Sequence, residues 1–219
     1  MEKDGTRKGK APVGETDAMY EFLARLLLRP MDADLYALAA NESFWEDLAK
    51  GDGQPDRFTD ACRKVASALA SFEGSSPDEA QTQLATEYTR FFVGPENQLV
   101  PPWESLYQGD KHHLYGPPVA QVRAFMRKHG LSSVQGASWP EDHLGMELLI
   151  VQEFLGKGAI DDGDVPDIRA FIEEHPLRLV RAMNEKARSL VHGGSGFYRS
   201  LLELVEACLE SDVETLRAA

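Results

Sequence analysis

The chain has only two cysteines, Cys62 and Cys208, and neither sits in a CxxC or CxxH spacing. That excludes a disulfide framework and a zinc knuckle, and it fits a reducing compartment. No stretch approaches the roughly 18 apolar residues of a membrane-spanning helix. The opening MEKDGTRKGKAPVGETD carries basic residues with no apolar core behind them, so neither a secretory signal nor a membrane anchor is expected. The protein is therefore read as cytoplasmic. Enzyme fingerprints are also missing: there is no GxSxG, no HExxH, no Walker sequence and no dinucleotide-binding glycine pattern. HGGSG at 192–196 lacks the Lys-Ser/Thr partner of a phosphate loop. Basic residues are in deficit, 23 against 36 acidic, for a formal net charge of −13. Such a field repels nucleic acid and anionic lipid and attracts a basic peptide.

Strand-like alternation is scarce, and apolar residues recur at helical spacing instead. TDAMYEFLARLLLRP opens with a Thr16 or Asp17 cap, places Met19, Phe22, Leu23, Leu26 and Leu27 on one side, and stops at Pro30. Residues 32–50 read as one or two short helices, and 55–74 as another. SPDEAQTQLATEYTRFFVGP starts with Ser76 as cap and Pro77 in the first turn, and ends at Gly94. The next stretch, GPENQLVPPWESLYQGDKHHLYGPP, has no period and too many prolines for a long helix; its aromatic content marks it as an ordered functional loop. Helices resume over 117–130, 140–156, 165–191 and 196–211, with Pro176 expected to kink or split the third. The expectation is an all-α, single-domain bundle of eight or nine helices with a long irregular central loop, spanning 15–219 behind a disordered tail at 1–14.

Within PEDHLGMELLIVQEFL, His143 and Glu147 project into an otherwise apolar arc, one helical turn apart. Only Asp142, Gly145, Gln152 and Glu153 fall in a polar sector, so neighbours should cover most of this helix. Buried polar groups must be satisfied, and three arrangements would do so. The pair could be structural. It could ligate a metal, with His112 and His113 as further ligands, in a helical enzyme. Or it could form a recognition pocket for a basic chain, with Asp142 beside it at the helix start, where an acid is favoured. Glu141 reads as a capping residue paired with Ser138.

Two segments together resemble a known family. EYTRFFVGPENQLVPPWESLY (87–107) and PEDHLGMELLIVQEFL (140–155) are similar in order and separation to the signatures of the TorD/DmsD family of redox-enzyme maturation chaperones. The last helix is similar as well, so the likeness extends from about residue 15 to the end. The resemblance implies an all-helical cytoplasmic chaperone, and the chain is read as noncatalytic, with no cofactor and no metal assigned. Its partners would be the twin-arginine signal peptide and the apo catalytic subunit of a molybdopterin oxidoreductase. It would assist cofactor insertion and delay export until maturation. The alternative within the same class is a NarJ-like assembly chaperone for a reductase that is not exported. Carried over by position, Pro140, Asp142 and His143 match the peptide-binding motif, with Glu147 one turn below. Trp103, Glu104 and Tyr107 match the loop lining the same groove. Glu87, Tyr88, Phe91 and Gly94 match the remaining signature, although Tyr88, Phe91 and Phe92 share a core-type stripe with Leu84. Pro176 departs from the family pattern. A monomer and a domain-swapped homodimer both remain open.

Overall fold

The computed structural model describes residues 13–50, 55–72, 74–94, 99–108, 114–132, 140–156, 160, 163–190 and 196–218. His112, His113, Ser138 and most of the N-terminal tail lie outside these residues. The described residues form ten α-helices and no strand: α1 (Val13–Leu28), α2 (Ala33–Ala39), α3 (Glu42–Ala49), α4 (Asp56–Ala70), α5 (Pro77–Tyr88), α6 (Pro117–Lys128), α7 (Leu144–Leu155), α8 (Val165–Glu174), α9 (Pro176–Ser189) and α10 (Gly196–Ala218). The chain is all-α, as the periodicity predicts. Two splits bring the helix number to ten: 32–50 forms two helices, and Pro176 opens α9 instead of kinking one long helix. The first helix starts at Val13, ahead of the expected Thr16 or Asp17 cap and inside the expected tail.

Local signals explain most of the boundaries. Ser76 and Glu79 form a reciprocal capping box, with Pro77 in the first turn of α5. The Asp32 carboxylate accepts from the Leu35 N–H at 2.9 Å and starts α2. At the far end of α5 the chain widens into a π-helical turn, Thr89–Val93, before Gly94 ends it in extended conformation. This turn puts Phe91 and Phe92 into an aromatic cluster with Tyr88 and Tyr198. It also leaves the Phe91 carbonyl to accept from Val100 N–H at 2.8 Å, which ties the start of the central loop to the core.

One contiguous apolar core runs through the bundle. The α10 helix, 23 residues long, packs against α4, α8 and α9, while α1 packs closely on α7. The α1–α7 approach depends on Gly145, because a Cβ there would meet Leu28 Cγ at 2.8 Å and the Ala24 carbonyl oxygen at 3.0 Å. Gly145 therefore belongs to the core, and its place in the polar sector of the helical wheel is corrected. The same holds for Asp142, which is fully buried. A helical wheel shows direction but not depth.

Candidate functional site

The loop before α6 and the segment entering α7 meet in a short antiparallel seam. Trp103 and His143 pair as an isolated β-bridge. Glu104 N–H donates to the Asp142 carbonyl at 2.9 Å, and Leu144 N–H donates to the Pro102 carbonyl at 2.8 Å. Side chains reinforce the backbone. Asp142 Oδ2 accepts from Ser105 N–H at 2.9 Å and also from the Ser105 hydroxyl. Ser105 Oγ in turn accepts from Gly116 N–H at 3.1 Å, which anchors the chain just ahead of α6.

α7 begins at Leu144, and its N-cap is His143, whose Nδ1 accepts from Gly145 N–H at 3.0 Å. An accepting nitrogen requires a neutral ring. Burial pushes the His143 imidazole down to about 3, so it stays neutral at physiological pH. Its ring stands edge-on to Trp103, with centroids 5.2 Å apart. Because the cap is His143, Glu141 does not cap this helix; it pairs instead with Arg123 of α6 at 2.8 Å. Pro140 is buried just before it, and its carbonyl accepts from His143 N–H at 3.2 Å.

Glu104 enters the interior from a 3-10 turn, Glu104–Leu106. Its carboxylate accepts from Gln108 Nε2 at 2.6 Å and from the Arg178 guanidinium, and it lies 2.8 Å from His175 Nδ1. Burial pushes this carboxyl up, but the His175 and Arg178 contacts outweigh it and hold the group below its ordinary range. Glu147 has less support, since Arg178 acts on it only through its charge. It is fully buried, and neither carboxyl oxygen receives a hydrogen bond. Burial, followed by the neighbouring Glu104 and Asp142 charges, raises its carboxyl well above normal, so Glu147 is held as a neutral acid hydrogen-bonded with Glu104. Asp142 is raised too, chiefly by burial, against the lowering effect of its Ser105 bonds.

The structure thus brings Trp103, Glu104, Asp142, His143 and Glu147 into one unit, with Pro140 at its edge. Tyr107 follows the same turn, but its ring sits under Lys186 of α9, with Nζ 5.9 Å from the centroid. Glu104, Asp142, His143 and Glu147 are each at most 1% exposed. This corrects the expectation of an acidic lip open to solvent: the acids lie beneath the seam, and only Trp103 and Tyr107 among the expected residues are part-exposed. Sequence reasoning missed Ser105, His175 and Arg178. His175 carried one usable signal, since a residue preceding proline is steered away from helical conformation. It occupies the break between α8 and α9 at φ −116°, ψ −91°.

A family profile described as nitrate reductase delta subunit matches residues 55–184, which contain both halves of the seam and His175. The chain is 25% identical over 212 residues to the chaperone protein TorD of Vibrio vulnificus strain YJ016, covering 89% of this chain and 92% of that protein. It is 31% identical over 85 residues to the Tat proofreading chaperone DmsD of Salmonella typhi, covering 39% and 42% respectively. It is also 29% identical over 70 residues to the probable Tat proofreading chaperone DmsD of Haemophilus influenzae, covering 32% and 34%. With more than half its length matched by the profile, and with both signature segments joined in one seam, this chain belongs to the nitrate reductase delta subunit family, in which the TorD and DmsD chaperones are its relatives.

Proposed function

We propose that this protein is a noncatalytic cytoplasmic chaperone that binds the twin-arginine signal peptide of a molybdopterin oxidoreductase catalytic subunit, assisting cofactor insertion and delaying export until the subunit is mature. The observation that carries the reading is the seam itself, in which the two segments similar to the chaperone signatures are bonded to each other and present Trp103 at their edge. The burial of the acids divides the labour. Trp103 and Tyr107 contact the apolar part of the peptide, and the overall charge of −13 draws in its guanidinium groups. Pro140, Asp142, His143, Glu104 and Glu147 are positioning residues that fix the loop from below.

Calorimetric titration of the full chain with a twin-arginine signal peptide and its Ala-Ala version tests this. The Arg-Arg peptide is expected to bind at least roughly tenfold more tightly, a difference of about 1.4 kcal/mol. Trp103→Ala should weaken that binding while the far-ultraviolet circular dichroism stays at wild-type level. Equal binding of the two peptides would sink the twin-arginine reading. The matched profile's description favours one second reading, a NarJ-like chaperone for a reductase that is not exported. In that case a client N-terminal peptide lacking paired arginines binds with full affinity.

A further inference from the structure

Below the seam, three side chains able to ligate a metal converge from three separate elements: Glu104 from the 3-10 turn, Glu147 from α7 and His175 from the break between α8 and α9. One ligating atom from each lies within 4.8 Å of the other two, and all three residues are buried. Glu147 is the unusual member. It has no exposed surface, no donor group serves either of its carboxyl oxygens, and its hydrogen-bonding neighbour is a second carboxyl, Glu104. Asp142 Oδ1, also buried, is likewise without a donor. Buried carboxylates are normally satisfied by donors, by a counter-charge or by a metal.

We propose that Glu104, Glu147 and His175 form a binding site for one divalent transition-metal ion of the zinc type. Two carboxylate oxygens and one imidazole nitrogen are a donor set such ions accept, and a fourth position stays open for water. Metal–ligand bonds of about 2.0–2.2 Å place neighbouring donors roughly 3–4 Å apart. Glu104 Oε2 and His175 Nδ1 are already 2.8 Å apart, so a small opening admits the ion between them. Arg178 does not compete for that position. It bonds Glu104 through Oε1 and leaves Oε2 for the metal, acting as an outer donor that orients a ligand. The charges fit as well: Glu104 and Glu147 share Arg178 as their permanent cation, so a doubly charged ion can hold both of them ionised. The site differs from the pairing of His143, Glu147, His112 and His113 considered from sequence, since His143 spends Nδ1 on the α7 cap. A bound ion would fasten the loop, α7 and the α8–α9 junction together whether or not a peptide is present, so the inference does not depend on the proposed client.

The test uses the full chain, stripped of metal with a chelator and titrated with Zn²⁺ alone, with Co²⁺ as a visible-absorbance probe of coordination. One ion per chain is expected, with a rise of several degrees in Tm. Glu147→Gln and His175→Gln should each weaken Co²⁺ binding by roughly tenfold or more and remove the thermal shift. A more exposed group, His129, Asp164 and Asp167, provides the control, and Asp167→Asn should retain one ion at wild-type affinity. The proposal fails if the wild-type chain takes up no stoichiometric ion, if both ligand variants bind like wild type, or if Asp167→Asn abolishes uptake. Should Glu147→Gln not fold, folded His175→Gln decides alone.

Discussion

Replacing Asp142 with alanine is the most direct probe of the seam. The side chain is fully buried, and its Oδ2 accepts two hydrogen bonds from Ser105, one from the backbone and one from the hydroxyl. Hydrogen bonds to a charged acceptor contribute about 1.5–3 kcal/mol each, so the gross loss is about 3–6 kcal/mol. Part of this is offset. Burial and the Glu104 charge make ionised Asp142 costly to hold, as its raised pKa shows, and alanine removes that cost. The Ser105 hydroxyl can turn elsewhere, but its N–H remains orphaned. A net destabilisation of about 2–4 kcal/mol follows, or on the order of 4–16 °C in Tm for a chain of this size. Urea unfolding followed by circular dichroism and tryptophan fluorescence measures it. The decisive comparison is a double-mutant cycle with Ser105→Ala, where a coupling of about 1–3 kcal/mol is expected for two residues in one hydrogen-bonded contact. If Asp142→Ala lies within about 0.5 kcal/mol of wild type and the two changes simply add, the seam is not held together as described.

Three further outcomes are expected. Gly145→Ala drives a methyl group into Leu28 and the Ala24 carbonyl; overpacking of about 1–3 kcal/mol exceeds the helix-propensity gain of about 1 kcal/mol, so thermal melting should show a lower Tm, and an unchanged or raised Tm would mean α1 can move away. Asp212 is held by the Tyr20 hydroxyl, and burial raises its carboxyl to about 6. The native state therefore keeps this proton where the unfolded chain, with an ordinary carboxyl near 3.9, has lost it, and this group's contribution falls between about pH 4 and 6 and then levels off. Asp212→Asn should remove about 2 kcal/mol of that decline between pH 4.5 and 6.5, read from urea unfolding of variant and wild type at the two pH values. Finally, burial pushes the Cys62 thiol up to about 12 and also raises the Cys208 thiol well above its ordinary value, so a thiol reagent should label both slowly until denaturant is added; rapid labelling of the native protein would contradict their burial.

Much of the architecture was legible because it is encoded locally. Ser76, Pro77 and Pro176 act on the residues beside them, so their helix boundaries could be read from the chain. The aromatic stripe of Tyr88, Phe91 and Phe92 marked the core correctly, but the π turn that carries it left no separate periodic signal. At the site, the two signature segments pointed to the right neighbourhood while their depth did not follow from pattern. A wheel places Glu147 on an apolar arc, but it cannot show that Glu104 is opposite, with His175 and Arg178 arriving from 71 and 74 residues further along. The start of α7 was misplaced for a related reason. Proline at 140 and acids at 141 and 142 look like a first turn, whereas the Asp142 carbonyl is committed to Glu104 of the central loop and the Pro140 carbonyl to a local turn with His143.

The break at His175 has a mechanical consequence. One residue closes α8, opens α9 and touches Glu104, so the imidazole works as a hinge pin. α10 packs against both helices and sets the angle between them. A change in that angle would move the ring relative to the Glu104 carboxylate, and Glu104 is the first residue of the turn that Trp103 caps. The C-terminal helix, remote in sequence from the loop, is thereby joined to it through a single imidazole–carboxylate contact.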